Sequence, residues 1–145
     1  MVKLKDLLSN NSIKTVTSIQ IVPGTILLGP MPNVNHKKFY IIAGIDKDRI
    51  CVCSVIINSG INPFILKRPQ LLERQLELNP EKYSFLSHKS YINCAQPLQG
   101  SLQTFQDSAY QNVGTLETED LKVVQDEITK SGMLTEEEIE KFFRE

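Results

Sequence analysis

The sequence predicts an α+β protein with a mainly β core, arranged as a small antiparallel barrel or a strongly curved sheet with C-terminal helices. Short runs of β-branched and aromatic residues alternate with Gly, Pro and Asn turn signals through the first two-thirds of the 145 residues. Helical spacing of apolar residues is clearest after about residue 117. Strands this close in sequence pair most simply as hairpins, so the sheet should be largely antiparallel. We expect a single domain over 1–145, with a barrel core at about 22–116 and a helical tail at about 117–145.

Five strands are predicted in the barrel core. They cover residues 25–29, 38–45, 49–57, 75–78 and 90–94. Pro23-Gly24 marks the turn before the first strand, and residues 46–48 form a connection of hairpin length. The segment 61–74 is ambiguous because it contains two prolines. Within it we predict a short strand at 64–67 and a helical turn at 70–74, and a turn or short helix opens at Asn79-Pro80.

Helices are predicted at both ends of the chain and before the tail. They cover residues 3–9, 101–109, 117–131 and 134–144. Thr118 is the expected N-cap of the third helix, and Gly132 should end it. Thr135 and Glu138 have the spacing of a capping box at the start of the fourth.

Charge is unevenly divided along the chain. Residues 1–70 hold nine basic and three acidic residues, whereas residues 71–145 hold seven basic and fourteen acidic ones. The first half would therefore attract a polyanion and the tail would repel one, unless the segregation only reflects solvated faces. No apolar run could span a bilayer and the N-terminus lacks the pattern of a signal peptide, so we expect no membrane contact and a cytoplasmic location.

The three cysteines are Cys51, Cys53 and Cys94. An odd count without a secretion signal argues against a disulfide framework, and we interpret all three as small hydrophobic residues. The spacing offers no closed zinc site, so we expect no metal and no cofactor.

Five short motifs resemble the MazF/PemK family of bacterial toxin endoribonucleases. They are Pro23 to Leu27, His36 to Ile42, Val55 to Ser59, Ser90 to Cys94, and Gly114 to Glu117 leading into the first tail helix. The resemblance covers about residues 22–131. It departs from the family where Lys38-Phe39 replaces Arg-Pro and where Ser59 stands for a Thr. The helix at 134–144 is an addition to the family pattern.

The resemblance implies an SH3-like barrel that cleaves single-stranded RNA sequence-selectively without a metal ion. It also implies a homodimer whose activity an antitoxin protein holds in check. Cleavage of this kind uses the neighbouring 2′-hydroxyl as nucleophile. The site must remove that proton, stabilise charge on the phosphorane and protonate the leaving 5′-oxygen.

The candidate catalytic residues are His36, Lys38 and Ser59. An imidazole changes protonation near neutral pH and can act as general acid or base. Lys38 matches the family's catalytic Arg and could hold a phosphate as a point charge, without the bidentate fork of Arg. Ser59 could donate a hydrogen bond to a phosphoryl oxygen. His88 is a possible second acid or base.

The candidate RNA-binding residues are Lys37, Asn58, Lys67, Arg68 and Tyr91. Lys37 is the alternate of its neighbour Lys38, because strand alternation would turn only one of the two toward a groove. Two other interpretations stay open. The chain could be a non-catalytic binding module for protein or nucleic acid on the same barrel, or an interaction protein whose helical tail docks on a partner.

Overall fold

A computed structural model describes residues 21–144, so the helix predicted at 3–9 lies outside the described residues. Seven strands form the sheet. They are β1 (Thr25–Gly29), β2 (Lys38–Ile45), β3 (Cys51–Asn58), β4 (Gln75–Leu78), β5 (Ser90–Asn93), β6 (Leu98–Ser101) and β7 (Gln111–Thr115).

Five helices accompany the strands in the described part of the chain. They are α1 (Pro63–Leu66), α2 (Pro69–Leu72), α3 (Leu102–Phe105), α4 (Thr118–Lys130) and α5 (Glu136–Phe143). None of these helices is both long and apolar enough to cross a bilayer.

The sheet is antiparallel throughout, with the order β4-β5-β3-β2-β1-β7. β6 pairs with β3 beside β5, so one edge of β3 is shared by two short strands. Among the described residues no pairing joins β4 to β7, which leaves the sheet open. The α+β class and the antiparallel sheet are therefore confirmed, whereas closure into a barrel is not.

The two faces of the sheet carry separate hydrophobic clusters. One face packs against the tail helices. This cluster includes Ile41 and Val55 of the sheet and Val124, Ile128 and Phe142 of the helices. The opposite face includes Tyr40, Ile42 and Val52 and is covered by α3 through Leu102 and Phe105. The alternation of β2 explains the division, because successive side chains of a strand point to opposite faces.

Several strand and helix assignments need correction. The strand predicted at 64–67 is wrong, because Asn62 accepts a hydrogen bond from the Ile65 N–H (2.9 Å) and caps α1 with Pro63 at its first turn. β6 and β7 have no predicted counterpart. The helix predicted at 101–109 shrinks to α3, and residue 101 belongs to β6.

Of the two N-caps predicted for the tail helices, one is wrong and one is confirmed. Thr118 is the first residue of α4 and not its N-cap, a position that Glu117 holds without a side-chain hydrogen bond. At α5 the capping box is confirmed: the Thr135 hydroxyl accepts from the Glu138 N–H and the Glu138 carboxylate accepts from the Thr135 N–H.

Candidate active site

A cleft of about 200 Å³ lies at the end of the sheet where β2 begins. Three segments line it: the loop before β2, the turn after β3 and the polar run before β5. Its polar lining residues are His36, Lys37, Lys38, Ser59, Ser87, His88 and Ser90. We call this site the histidine cleft. Its apolar lining includes Phe39 and Phe85, whose rings meet edge to face with centroids 5.0 Å apart.

Strand pairing brings these three segments together. Phe39 of β2 is opposite Ile57 of β3, so Lys38 reaches the level of Asn58 just before the turn that carries Ser59. Asn58 is in turn opposite Tyr91 of β5, which places the residues before β5 at the same end of the sheet. The cleft therefore depends on pairings between residues 18 and 33 positions apart in sequence.

The Lys38 ammonium is held by a neutral partner. Its Nζ donates a hydrogen bond to Oδ1 of Asn58 at 2.7 Å. Partial burial lowers the pKa of the Lys38 amine from its ordinary value. Within the described residues no carboxylate forms an ion pair with Lys38. An amide orients the amine without cancelling its charge, so the charge stays available to an anion.

The backbone selects one tautomer of His88. Its Nδ1 lies 2.9 Å from the carbonyl oxygen of Lys89. Because a carbonyl oxygen can only accept, the neutral ring must carry its proton on Nδ1, which leaves Nε2 as an acceptor. The buried Ser90 hydroxyl donates to the His88 carbonyl oxygen at 3.2 Å and so holds the same segment. His88 is thus oriented as a proton acceptor through Nε2.

His36, in the loop before β2, also has its Nδ1 beside an oxygen atom of a neighbouring residue. Its Nδ1 lies 3.2 Å from Oδ1 of Asn35, and the side chain is exposed. Ser59 is also exposed, in the bend that follows β3. Two imidazoles and several hydroxyls therefore share one cleft with the lysines.

The electrostatics of the histidine cleft favour an anion. Among the described lining residues there are two lysines and two histidines but no aspartate or glutamate. The nearby Lys89 is already paired with Glu77, with Nζ and Oε1 2.7 Å apart. Such a set of donors can bind a phosphate, stabilise a developing negative charge and transfer protons.

Both Lys37 and Lys38 line the cleft, whereas strand alternation predicted only one of them. β2 begins at Lys38, so Lys37 lies in the preceding loop, where the two-residue alternation of a strand does not apply.

Four of the five candidate RNA-binding residues are not among the lining residues, namely Asn58, Lys67, Arg68 and Tyr91. Lys67 and Arg68 follow α1, and the Arg68 guanidinium stacks 3.5 Å from the centroid of the Phe64 ring. Its Nη1 also donates to the Phe64 carbonyl oxygen at 2.8 Å. Tyr91 lies in β5 between Asn58 and Glu77 and is half-buried. Asn58 contributes through its hydrogen bond to Lys38.

Sequence reasoning did not select Phe85, Ser87 or Ser90 for the site. The available signal was the polar run Ser87-His88-Lys89-Ser90 directly before a predicted strand. Polar residues at the end of a strand are a common position for functional side chains. No protein-family model matches the chain, and a search of curated proteins finds no match. The function is therefore inferred from the histidine cleft.

Proposed function

We propose that the protein is a MazF/PemK-like toxin that cleaves single-stranded RNA in the histidine cleft without a metal ion. The observation that carries the proposal is the convergence of His36, Lys38, Ser59 and His88 on one cleft whose described lining includes no carboxylate. Three separate segments of the sequence supply these groups. A purely structural cleft has no need of two imidazoles beside an amine that lacks an acidic partner.

Each chemical step has a protein group suited to it. Nε2 of His88 removes the proton of the ribose 2′-hydroxyl, whose oxygen forms a bond to the neighbouring phosphorus. The Lys38 ammonium and the Ser59 hydroxyl stabilise the charge on the phosphorane oxygens. His36, protonated, donates to the 5′-oxygen as its bond to phosphorus breaks. The products are a 2′,3′-cyclic phosphate and a 5′-hydroxyl.

The assay follows cleavage of a fluorescent single-stranded RNA library by purified protein in the presence of EDTA. We expect cleavage that leaves a 5′-hydroxyl and that is at least 100-fold slower in Lys38→Ala and in His88→Ala, since charge stabilisation and proton transfer each contribute ~10²-fold or more. Lys67→Ala is the matched control, because Lys67 lies outside the cleft and should leave the rate unchanged.

Two results would contradict the proposal. One is cleavage that needs added Mg²⁺, and the other is cleavage that survives in both cleft variants. RNA binding without cleavage, lost in Lys38→Ala, would instead support the non-catalytic binding module on the same fold.

The resemblance also supports finer expectations. We propose that the open sheet is a variant of an SH3-like barrel, that the protein acts in the cytoplasm as a homodimer, and that an antitoxin protein controls it. The motifs at 23–27, 36–42, 55–59, 90–94 and 114–117 are what support these statements.

A further inference from the structure

A second cavity of about 340 Å³ lies on the sheet face opposite the tail helices. We call it the aromatic cavity. Its walls include three rings in mutual edge-to-face contact. The centroid distances are 5.2 Å for Tyr40 and Phe105, 5.7 Å for Tyr40 and Tyr110, and 5.0 Å for Phe105 and Tyr110. A volume of this size is in the range of small-molecule sites, ~300–1,000 Å³.

The two tyrosine rings of the aromatic cavity are held in place by their hydroxyls. Tyr40 and Tyr110 both donate to the carbonyl oxygen of Pro30, at 2.7 and 3.0 Å. Burial and the neighbouring Tyr110 raise the pKa of Tyr40 to about 12, so its phenol stays neutral. No charged residue is among the described lining residues of the cavity. The site is therefore preorganised for an uncharged, largely apolar ligand.

One polar group of the cavity wall is open to a ligand. Ser54 is 2% exposed and lines the cavity, and within the described part of the chain its hydroxyl makes no hydrogen bond to protein. Because no fully buried side-chain oxygen or nitrogen is left unpaired among the described residues, this hydroxyl reaches solvent in the cavity. A ligand with a polar edge would replace its hydrogen bond to water, whereas an aliphatic occupant would leave the hydroxyl unpaired.

The apolar lining of the histidine cleft belongs to the tail-helix face, and Lys38 is a cleft residue on the face of the aromatic cavity. Tyr40 is two residues from Lys38 in β2, and these residues share a face. Ser54 is opposite Ile42 on that same face. Two residues of strand span about 7 Å, which is within the reach of one nucleotide. A phosphate at Lys38 would therefore carry its base toward Tyr40.

We propose that the aromatic cavity binds a purine or pyrimidine base, with the rings against its faces or edges and the Ser54 hydroxyl on its polar edge. A base is planar, neutral and rich in donors and acceptors, which suits the aromatic rings and the Ser54 hydroxyl of the cavity. That this base belongs to a substrate RNA rests on the proposed function. The aromatic cavity would then be the source of the sequence selectivity of cleavage.

The test titrates adenosine, guanosine, cytidine and uridine into ¹⁵N-labelled full-length protein and follows the amide resonances of Ser54 and Gly100. We expect saturable shifts with at least one nucleoside and none with cyclohexanol. Ser54→Ala should weaken binding about 3–10-fold, the loss of one hydrogen bond. Thr104→Trp, which fills the cavity from its exposed rim, should abolish binding, whereas Gln103→Trp on the same helix should not.

A trinucleotide with 2′-O-methyl riboses, which cannot be cleaved, separates a base in RNA from a free nucleoside. Binding at least tenfold tighter than that of the best nucleoside is expected. Equal affinities would overturn the assignment to RNA, and the absence of binding by all probes would overturn the base site. Cleavage that is intact and equally selective in Thr104→Trp would sink this inference alone. Nucleoside binding by a protein that cleaves no RNA would sink only the proposed function.

Discussion

At the scale of single residues, the pairing of Lys38 with an amide determines the charge that the histidine cleft presents to a phosphate. The Asn58 side chain accepts one hydrogen bond from Nζ and positions the amine. It does so without supplying a negative charge, so an incoming phosphate meets no repulsion from it. The same amine paired with a carboxylate would be a neutral unit with little attraction for RNA.

Asn58→Asp tests this role because it keeps the shape and the acceptor oxygen and adds a negative charge. We expect the dissociation constant for RNA to rise about tenfold. The slope of log K against log salt concentration should become shallower by the equivalent of about one phosphate contact, since Lys38 would no longer displace a counterion. The measurement is the dissociation constant of single-stranded RNA at several salt concentrations.

Asn62→Asp is the matched control for that charge change. Asn62 caps α1 and an aspartate can cap equally well, so the same net charge is added away from the cleft. If both variants lose affinity equally, the effect is one of overall charge and the role assigned to Asn58 is wrong.

The sequence predicts the members of the cleft better than their arrangement. His36 could be proposed as an imidazole in a loop beside a strand, and Lys38 and Ser59 because they match motifs of the family that the sequence resembles. The position of Lys67 and Arg68 could not be foreseen, since it depends on α1 folding as a helix in place of the predicted strand. Side-chain proximity is set by long-range pairing, which local patterns do not contain.

At the scale of elements, the two strands that were not predicted, β6 and β7, are weak β-formers. β1 and β2 have the predicted bounds. β6 has the sequence LQGS and β7 the sequence QNVGT, and each contains a glycine and polar residues. They are strands because β3 and β1 offer free edges to pair with, for example Cys53 with Gln99. Such a strand is determined by its neighbour more than by its own composition.

The contact between β2 and α5 depends on Gly44. A Cβ at this position would lie 2.5 Å from the Phe142 carbonyl oxygen and 2.9 Å from the Phe142 Cβ. Gly44→Ala should therefore push α5 away from the sheet and destabilise the protein by about 1–3 kcal/mol. Urea denaturation followed by far-UV circular dichroism measures the change in the free energy of unfolding.

Gly100→Ala is the comparison for that experiment, because a Cβ there meets nothing within 4 Å in another strand of the same sheet. Its free energy of unfolding should stay within about 0.5 kcal/mol of the parent value, as for other open surface sites. A Gly44→Ala protein as stable as Gly100→Ala would show that α5 is not held where β2 places it.

At the scale of the whole molecule, the buried thiols make stability sensitive to alkaline pH. Burial raises the pKa of Cys53 and of Cys94 to about 12, from an ordinary value of 9.0. Above about pH 9 the unfolded chain releases these protons while the folded protein keeps them. The unfolded state then binds fewer protons, so stability falls as pH rises from about 9 toward 12.

We expect the free energy of unfolding to drop by about 2 kcal/mol per buried thiol between about pH 8 and about pH 10.5. Urea denaturation in the presence of a reductant gives both values. Cys94→Ala should lower stability at pH 8 through lost packing but should reduce the pH-dependent part of the loss. A free energy that is equal at the two pH values would contradict the expected burial of both thiols.

The placement of α5 has a consequence for the way a long polyanion would meet the molecule. Glu138 in its acidic first turn accepts a hydrogen bond from Gln99, which is opposite Cys53 and so near Gly44, while Lys37 and Lys38 lie at the other end of β2, roughly 20 Å away along the strand. This exceeds the screening length of ~8 Å at physiological ionic strength, so the two ends do not cancel. Lys37 and Lys38 thus keep their own attraction for an approaching RNA, which the acidic turn of α5 does not neutralise.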